Sequence, residues 1–408
     1  MSNKANDPLA EIFEYLANAK APTLNELVEK RKQEYGITSV SQLANLLDIE
    51  RMTLVRLLDG DTQKVDLFSI VKLDQFLQIG IQQIMQVYMA SLRPEFAAQL
   101  ERVRNASYIC RFFDLNGLKK IGFIESTADF EHIEKRITRF FGLDTILEYD
   151  REVGDALFCR TKSQSDDKMR DFWVRSAIHQ FKRYNNPNEY DREALLALLP
   201  KIRPYTRYEE KGLFTVMKAL YNVGVTVIVQ SYLAKTQVRG GTFVVNGKPC
   251  IVVTDFNQSY ATLWFALMHE IFHVCYDFED LKRGLIYHLT DDNLDLHLMR
   301  EEDADYFARE MLFRQDRLDY ISHMIKSPSI VSAYAEKSNV HPAIIYAFYC
   351  YHEKKQNGRD VYSQYQQYFG KPDKALRTVK SNPWDKETIW QEIETFKKRF
   401  ETTQPTTN

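Results

Sequence analysis

Cysteine is scarce and scattered in this chain: five in 408 residues, at positions 110, 159, 250, 275 and 350, an odd number with no C-x-x-C pair. That pattern excludes a disulfide framework and a cysteine-built zinc site, and fits reduced thiols in a cytoplasmic protein. No run of about 18 apolar residues is present, so nothing reads as a membrane span. The opening "MSNKANDPLAEIFEYLANAK" lacks the apolar core and small-residue cleavage site of a signal peptide. Charge of one sign is missing too, since a net charge of −2 gives no global pull toward nucleic acid or anionic lipid. There is no internal repeat and no long low-complexity tract. What remains is a chain with 44% apolar and 27% charged residues, long enough for two or three domains.

The first hundred residues carry helical patterns only. "TLNELVEKRKQEYG" is an amphipathic helix ended by Gly36, and "SVSQLANLL" a shorter one with Ser39 and Gln42 placed for a capping box. "ERMTLVRLLDG" stops at Gly60, "DLFSIVKLDQFLQIG" opens at Asp66, and "IQQIMQVYMASL" follows. Beyond residue 100 the expectation is a strand at "LKKIGFIE" and helices at "DFEHIEKRITRFFGL", "DKMRDFWVRSAIHQFKRYNN" and "DREALLALLPKI". From about residue 205 the helix "EKGLFTVMKALYNVG" leads into strand-like "VTVIVQS", "GGTFVV" and "KPCIVVTDF", the last two joined by the turn signal "NGKP". A late helix, "DKETIWQEIETFKKRF", precedes a disordered tail, "ETTQPTTN". The fold expected is α+β and mainly helical, with a small antiparallel sheet packed on helices. Its expected divisions are 1–100 (helical bundle), 101–204 (spacer or sensing region), 205–370 (a chemical domain) and 371–408 (C-terminal helix and tail).

The chemistry points to "LWFALMHEIFHVCYD". Two histidines and a glutamate sit in an oily helical run, and buried polar groups need partners. His269 and His273 are four apart, so on a helix both imidazoles project from one stripe and can share a metal ion. In an H-E-x-x-H helix Glu270 stands beside a metal-bound water as general base. Zinc suits this donor set and keeps a position open for that water. Accidental H-E-x-x-H runs fall on solvated faces, whereas the flanks here are Leu263 to Met268, then Val274 and Cys275. A third ligand is required, and the helical "REEDADYFAREML" offers Glu301, with Asp305 one turn on to orient an imidazole. Glu302 competes but leaves Tyr306 four residues on, so Glu301 is preferred. His288 and His297 read as loop residues. His341, before a proline at a helix start, is a candidate donor to a developing oxyanion.

The second motif, "SVSQLANLLDIERMTLVRLLDGD", reads as a helix-turn-helix. Ile49 plugs the turn, Leu54, Leu57 and Leu58 bury the next helix, and Glu50, Arg51, Thr53 and Arg56 point outward toward double-stranded DNA. Residues 30–80 hold seven Lys/Arg against seven Asp/Glu, so the bundle has no basic footprint. A homodimer would double the contacts, and the helix over 81–92 is the expected dimer surface.

Together and in this order, the motifs resemble the ImmA/IrrE family of metallo-endopeptidases fused behind an Xre-type helix-turn-helix. The E-x-x-x-D helix after H-E-x-x-H resembles the gluzincin arrangement within it. The peptidase resemblance covers roughly 205–350 through "GVTVIV", "KPCIVVTD", "WFALMHEIFH", "EEDADYFAREML" and "VHPAIIYAF", and the DNA-binding resemblance about 23–80. It implies a zinc site at His269, His273 and Glu301 with Glu270 as base. It also implies cleavage of a partner protein, commonly a repressor, and control of transcription. The chain departs from the pattern at Asp48, where glycine is usual in the helix-turn-helix turn, and in "FAREMLFRQD", which lacks a customary proline. The competing expectation is a DNA-binding regulator or antitoxin-like protein whose metal site is structural or inactive. Glu270 argues against it, because a structural site has no use for a base.

Overall fold

The structure, a computed structural model, describes residues 22–61, 65–92, 94–150, 166–233, 240–255, 258–282, 295–382, 384 and 389–401. The chain separates into two compact units, Met1–Arg111 and Phe112–Asn408. It is mainly helical with one small sheet, the expected α+β class.

The first unit contains α1 (Leu24–Glu34), α2 (Val40–Leu47), α3 (Arg51–Leu58), α4 (Leu67–Leu77), α5 (Ile81–Ser91) and nearly all of α6 (Pro94–Phe112). Local chemistry sets these ends. Thr23 and Glu26 form a reciprocal capping box at α1, and Asp66 accepts from the Ser69 amide at α4. At α2, Ser39 accepts from the Gln42 amide, but the Gln42 side chain returns to the Thr38 amide rather than to that of Ser39. Leu24, Val28, Leu43, Leu54, Leu57, Leu73, Ile84 and Val87 are fully or nearly fully buried in one core. Gly60 has φ +66°, and a Cβ there would fall 1.8 Å from the Ser91 carbonyl oxygen, so only glycine fits. The expected dimer helix, α5, places Ile84, Val87 and Tyr88 in its own core. Among the described residues of this unit, large exposed apolar side chains include Leu46, Leu67, Phe68 and, at the start of α5 itself, Ile81.

The second unit runs through α7 (Leu115–Lys120), α8 (Phe130–Phe141), α9 (Asp166–Tyr184), α10 (Arg192–Ile202) and α11 (Gly212–Asn222), then β1 (Thr226–Gln230), β2 (Gly240–Val245) and β3 (Lys248–Thr254). It continues with α12 (Tyr260–Tyr276), α13 (Phe278–Lys282), α14 (Asp295–Leu312), α15 (Gln315–Ser322), α16 (Pro328–Lys337), α17 (Pro342–Asn357), α18 (Tyr362–Tyr365), α19 (Asp373–Leu376), β4 (Lys380–Ser381) and α20 (Trp390–Glu401). The strand expected at "LKKIGFIE" is absent. Asp114 caps a helix there by accepting from the Gly117 amide, and Gly122 turns the chain at φ +78°. Residues 112–204 belong to this unit rather than standing apart, with α9 packed on β1 and α10 on α11.

The sheet has the order β2-β3-β1-β4 and is mixed, not antiparallel. β1 is parallel to β3 and to β4, and only the β2–β3 hairpin is antiparallel. Its turn is the Asn246–Gly247 pair, both at positive φ (54° and 75°), as a two-residue hairpin of this twist requires. β2 is an outer strand, yet its first four residues are buried, and α12 and α13 pack against it. The tail 402–408 lies outside the described residues.

Candidate metal centre

α12 begins at Ser259, whose hydroxyl accepts from the Thr262 amide, and runs unbroken through the H-E-x-x-H segment. The helix packs against β2, β3, α14 and α17, which explains why it is apolar on nearly every side. At its far end, Arg192 Nε donates to the Cys275 carbonyl and the Tyr190 hydroxyl to the Val274 carbonyl, satisfying oxygens the last turn leaves open. His273 is fully buried and Glu270 is 4% exposed.

The two imidazoles converge. His269 Nε2 and His273 Nε2 are 3.2 Å apart, and Glu301 on α14 reaches both, with Oε2 3.0 Å from the first and Oε1 3.7 Å from the second. One ligand atom from each of the three lies within 4.8 Å of the others, making this triad a candidate metal-binding group. Glu302 is exposed and faces Lys355 at 4.0 Å, so Glu301 occupies the third corner.

Each imidazole turns its other nitrogen to a carboxylate. His269 Nδ1 is 2.9 Å from Asp305 Oδ1, and His273 Nδ1 is 2.8 Å from Asp277 Oδ2. Asp277 was not anticipated. Its signal is an i, i+4 repeat, His273-x-x-x-Asp277, that carries the histidine stripe one further turn. With Nδ1 donating in both rings, both Nε2 lone pairs and the Glu301 carboxylate point at one spot. Three acceptors this close repel unless a cation lies among them. The same field acts on a proton. Burial opposes charge on His269, but Asp305 and Glu301 outweigh it and raise its pKa to about 10. Tetrahedral bonds of about 2.0–2.1 Å separate neighbouring ligand atoms by roughly 3.3 Å, close to the spacing observed between the two nitrogens.

Apolar walls flank the triad. Phe265 stands 6.2 Å from the His269 ring and against Phe348, while Phe272 stands 5.5 Å from His273 and against Phe307. Such surroundings strengthen every electrostatic interaction inside. Glu270 turns to the sheet. Thr242 on β2 donates its hydroxyl to Glu270 Oε2 at 2.7 Å, and a Cβ on Gly240 would come within 2.8 Å of Oε1. Neither contact was anticipated, because a strand carries no spacing that pairs it with a helix later in the chain.

His341 is not brought to the triad. Its Nδ1 accepts from the Ala343 amide as the N-cap of α17, its Nε2 faces Glu209 at 3.2 Å, and its ring lies on Tyr260 at 4.8 Å. Tyr260 precedes His269 by nine residues of continuous helix, about 13 Å along the axis. The oxyanion role expected of His341 therefore has no geometric support: both of its nitrogens are engaged and it sits at the other end of α12. His297 falls within α14 rather than in a loop, with its side chain outside the described residues, as is the whole of His288.

Between α2 and α3, Asp48 adopts φ 49°, a left-handed conformation that favours glycine. Lys72 secures it by donating to its carbonyl oxygen at 2.7 Å and pairing with its carboxylate at 3.2 Å. Thr53 donates to Glu50 Oε2 at 2.8 Å, so these two side chains engage each other. Arg51 and Arg56 are exposed. Among the described residues no helix is long and apolar enough to cross a membrane. Comparison of the chain with family models, with curated proteins and with solved structures finds no match.

Proposed function

We propose that this chain is a zinc-dependent metallo-endopeptidase that hydrolyses a peptide bond in a partner regulator, a repressor or antitoxin-like protein, and that its helix-turn-helix binds double-stranded DNA in the cytoplasm. The observation that carries the enzymatic reading is the pair of Nε2 atoms 3.2 Å apart beside Glu301, each ring backed by its own carboxylate, with Glu270 buried on the same helix.

His269, His273 and Glu301 hold the metal, and Asp305 and Asp277 fix the imidazole tautomers that make this possible. Zinc held there would supply Lewis acidity, with the pKa of a bound water brought to roughly 7. Glu270 would serve as the base that accepts a proton from the attacking water and passes it to the leaving amine. The phenylalanine walls limit water to the reacting positions. Arg51 and Arg56 supply phosphate or guanine contacts, and a homodimer offsets the neutral balance of the bundle.

The test is metal analysis with cleavage of the partner once it is identified. Wild type and Glu270→Gln each carry about one zinc, only wild type cuts, and His273→Ala does neither. Equal cutting by Glu270→Gln removes the base from the scheme. Bound zinc with no cutting of any partner supports the regulator with a structural metal.

A further inference from the structure

We infer that Thr242 is a positioning residue for Glu270, holding the base from β2, the strand packed against its helix. The inference rests on the peptidase reading above. Glu270 is almost wholly buried, and an ionised carboxylate in such a place needs a donor aimed at it. The Thr242 hydroxyl has one proton to give. It lies 2.7 Å from Glu270 Oε2 and 3.2 Å from the Glu270 carbonyl oxygen, and the shorter, charge-assisted contact takes the proton.

The donor is rigidly placed. Thr242 is β-branched with few rotamers, and it is fixed in the β2–β3 ladder opposite Ile251. Gly240, two residues earlier, lies on the same face of the strand. Its missing side chain leaves the space that Oε1 occupies: a Cβ there would meet Oε1 at 2.8 Å and the Val252 carbonyl oxygen at 3.0 Å. Gly240 and Thr242 thus form a slot that accepts one carboxylate. Thr242 anchors one of the two carboxylate oxygens. The hydroxyl acts only through Glu270 and touches neither metal nor substrate.

The experiment uses the full chain loaded with zinc and acetohydroxamate as probe, so it does not wait on the natural substrate. A hydroxamate ligates the metal and gives its proton to a neighbouring base, so its affinity reports how well that base is placed. Titration calorimetry on wild type, Thr242→Val, Thr242→Ser and Glu270→Gln is read beside zinc content. The expected result is weakening of about tenfold or more in Glu270→Gln and Thr242→Val, with Thr242→Ser within about twofold of wild type and one zinc in all four. If Thr242→Val does not fold, Thr242→Ala carries the same comparison. Wild-type affinity in Thr242→Val, or equal weakening in Thr242→Ser, overturns the positioning role. Wild type that takes up no zinc, or binds zinc but no hydroxamate, overturns the peptidase reading and the role of Thr242 with it. A loss confined to Glu270→Gln leaves the peptidase standing without Thr242.

Discussion

Polar residues mean different things in the two units of this chain. In the first, Arg51 and Arg56 face solvent, and Glu50 and Thr53 pair with each other on the surface. Water can satisfy such groups, so their placement implies no ligand. In the second, His273, Glu270 and Asp277 are each no more than 5% exposed and His269 is nearly as enclosed. Groups removed from water must find partners or a cation, so burial itself carries information about function. A charged surface permits an activity, whereas a charged interior requires an explanation.

The sharpest way to break this comparison is a crossed pair of substitutions. Gly60→Ala drives a Cβ into the Ser91 carbonyl at a positive-φ position and should cost the first unit on the order of 3–5 kcal/mol, with zinc content unchanged. His273→Ala leaves Asp277 buried without its imidazole and should cost the second unit a similar amount, about 3–5 kcal/mol, while abolishing zinc binding. Calorimetry with metal analysis on both variants reads the outcome. Zinc lost from Gly60→Ala, or kept by His273→Ala, contradicts the division.

A pH effect of comparable size belongs to the second unit alone. His179 on α9 lies against Trp390, Phe140 and Phe141, and its Nε2 is buried without a hydrogen-bond partner. Burial, aided by Arg183 and Lys182, lowers its pKa to about 4. Below an unfolded value near 6.5 the unfolded chain takes up a proton that the folded chain refuses. Stability that is complete above pH 6.5 therefore drains away as the pH falls toward 4, on the order of 3 kcal/mol in all. Denaturant titrations should show this slope in wild type and lose it in His179→Leu. An unchanged slope in the variant removes His179 as its source.

Gly240→Ala is a smaller change aimed at the site. Its Cβ must displace Glu270 or the strand, costing about 1–3 kcal/mol and lowering hydroxamate affinity without lowering zinc content. Unaltered affinity would mean that the carboxylate moves without consequence. Smallest for stability is the Arg51→Ala, Arg56→Ala double variant, which should stay within about 0.5 kcal/mol of wild type. It should weaken a gel shift on the chain's own upstream DNA and flatten its salt dependence by about one unit per lost phosphate contact. Retained binding with the same slope sends the DNA surface elsewhere.

Much of the architecture was legible because its signals are local. Ser39 and Asp66 cap helices where the hydroxyl and the carboxylate can reach an amide within three residues. The Asn246–Gly247 turn fixed the hairpin register, and the four-residue spacing of His269 and His273 placed both rings on one stripe. What needed long-range pairing stayed hidden. A hairpin is antiparallel by construction, but that β1 lies parallel to β3 depends on where the chain returns, and no residue of β1 says so. "LKKIGFIE" has the apolar and aromatic residues of a strand, yet Asp114 just upstream captures its first half for a helix. Thr242 and Gly240 are unremarkable residues of a strand until the fold sets Glu270 against them. Asp277 was within reach of the same spacing rule that found the histidines. His341 misled because a histidine before a proline is as good a helix cap as it is a hydrogen-bond donor.

The most direct measurement is the zinc stoichiometry of the purified full-length chain beside Glu270→Gln and His273→Ala. The expected values are close to one per chain in wild type and in Glu270→Gln, and close to none in His273→Ala. A wild type that takes up no zinc, or a His273→Ala variant that retains it, would contradict a metal held by His269, His273 and Glu301.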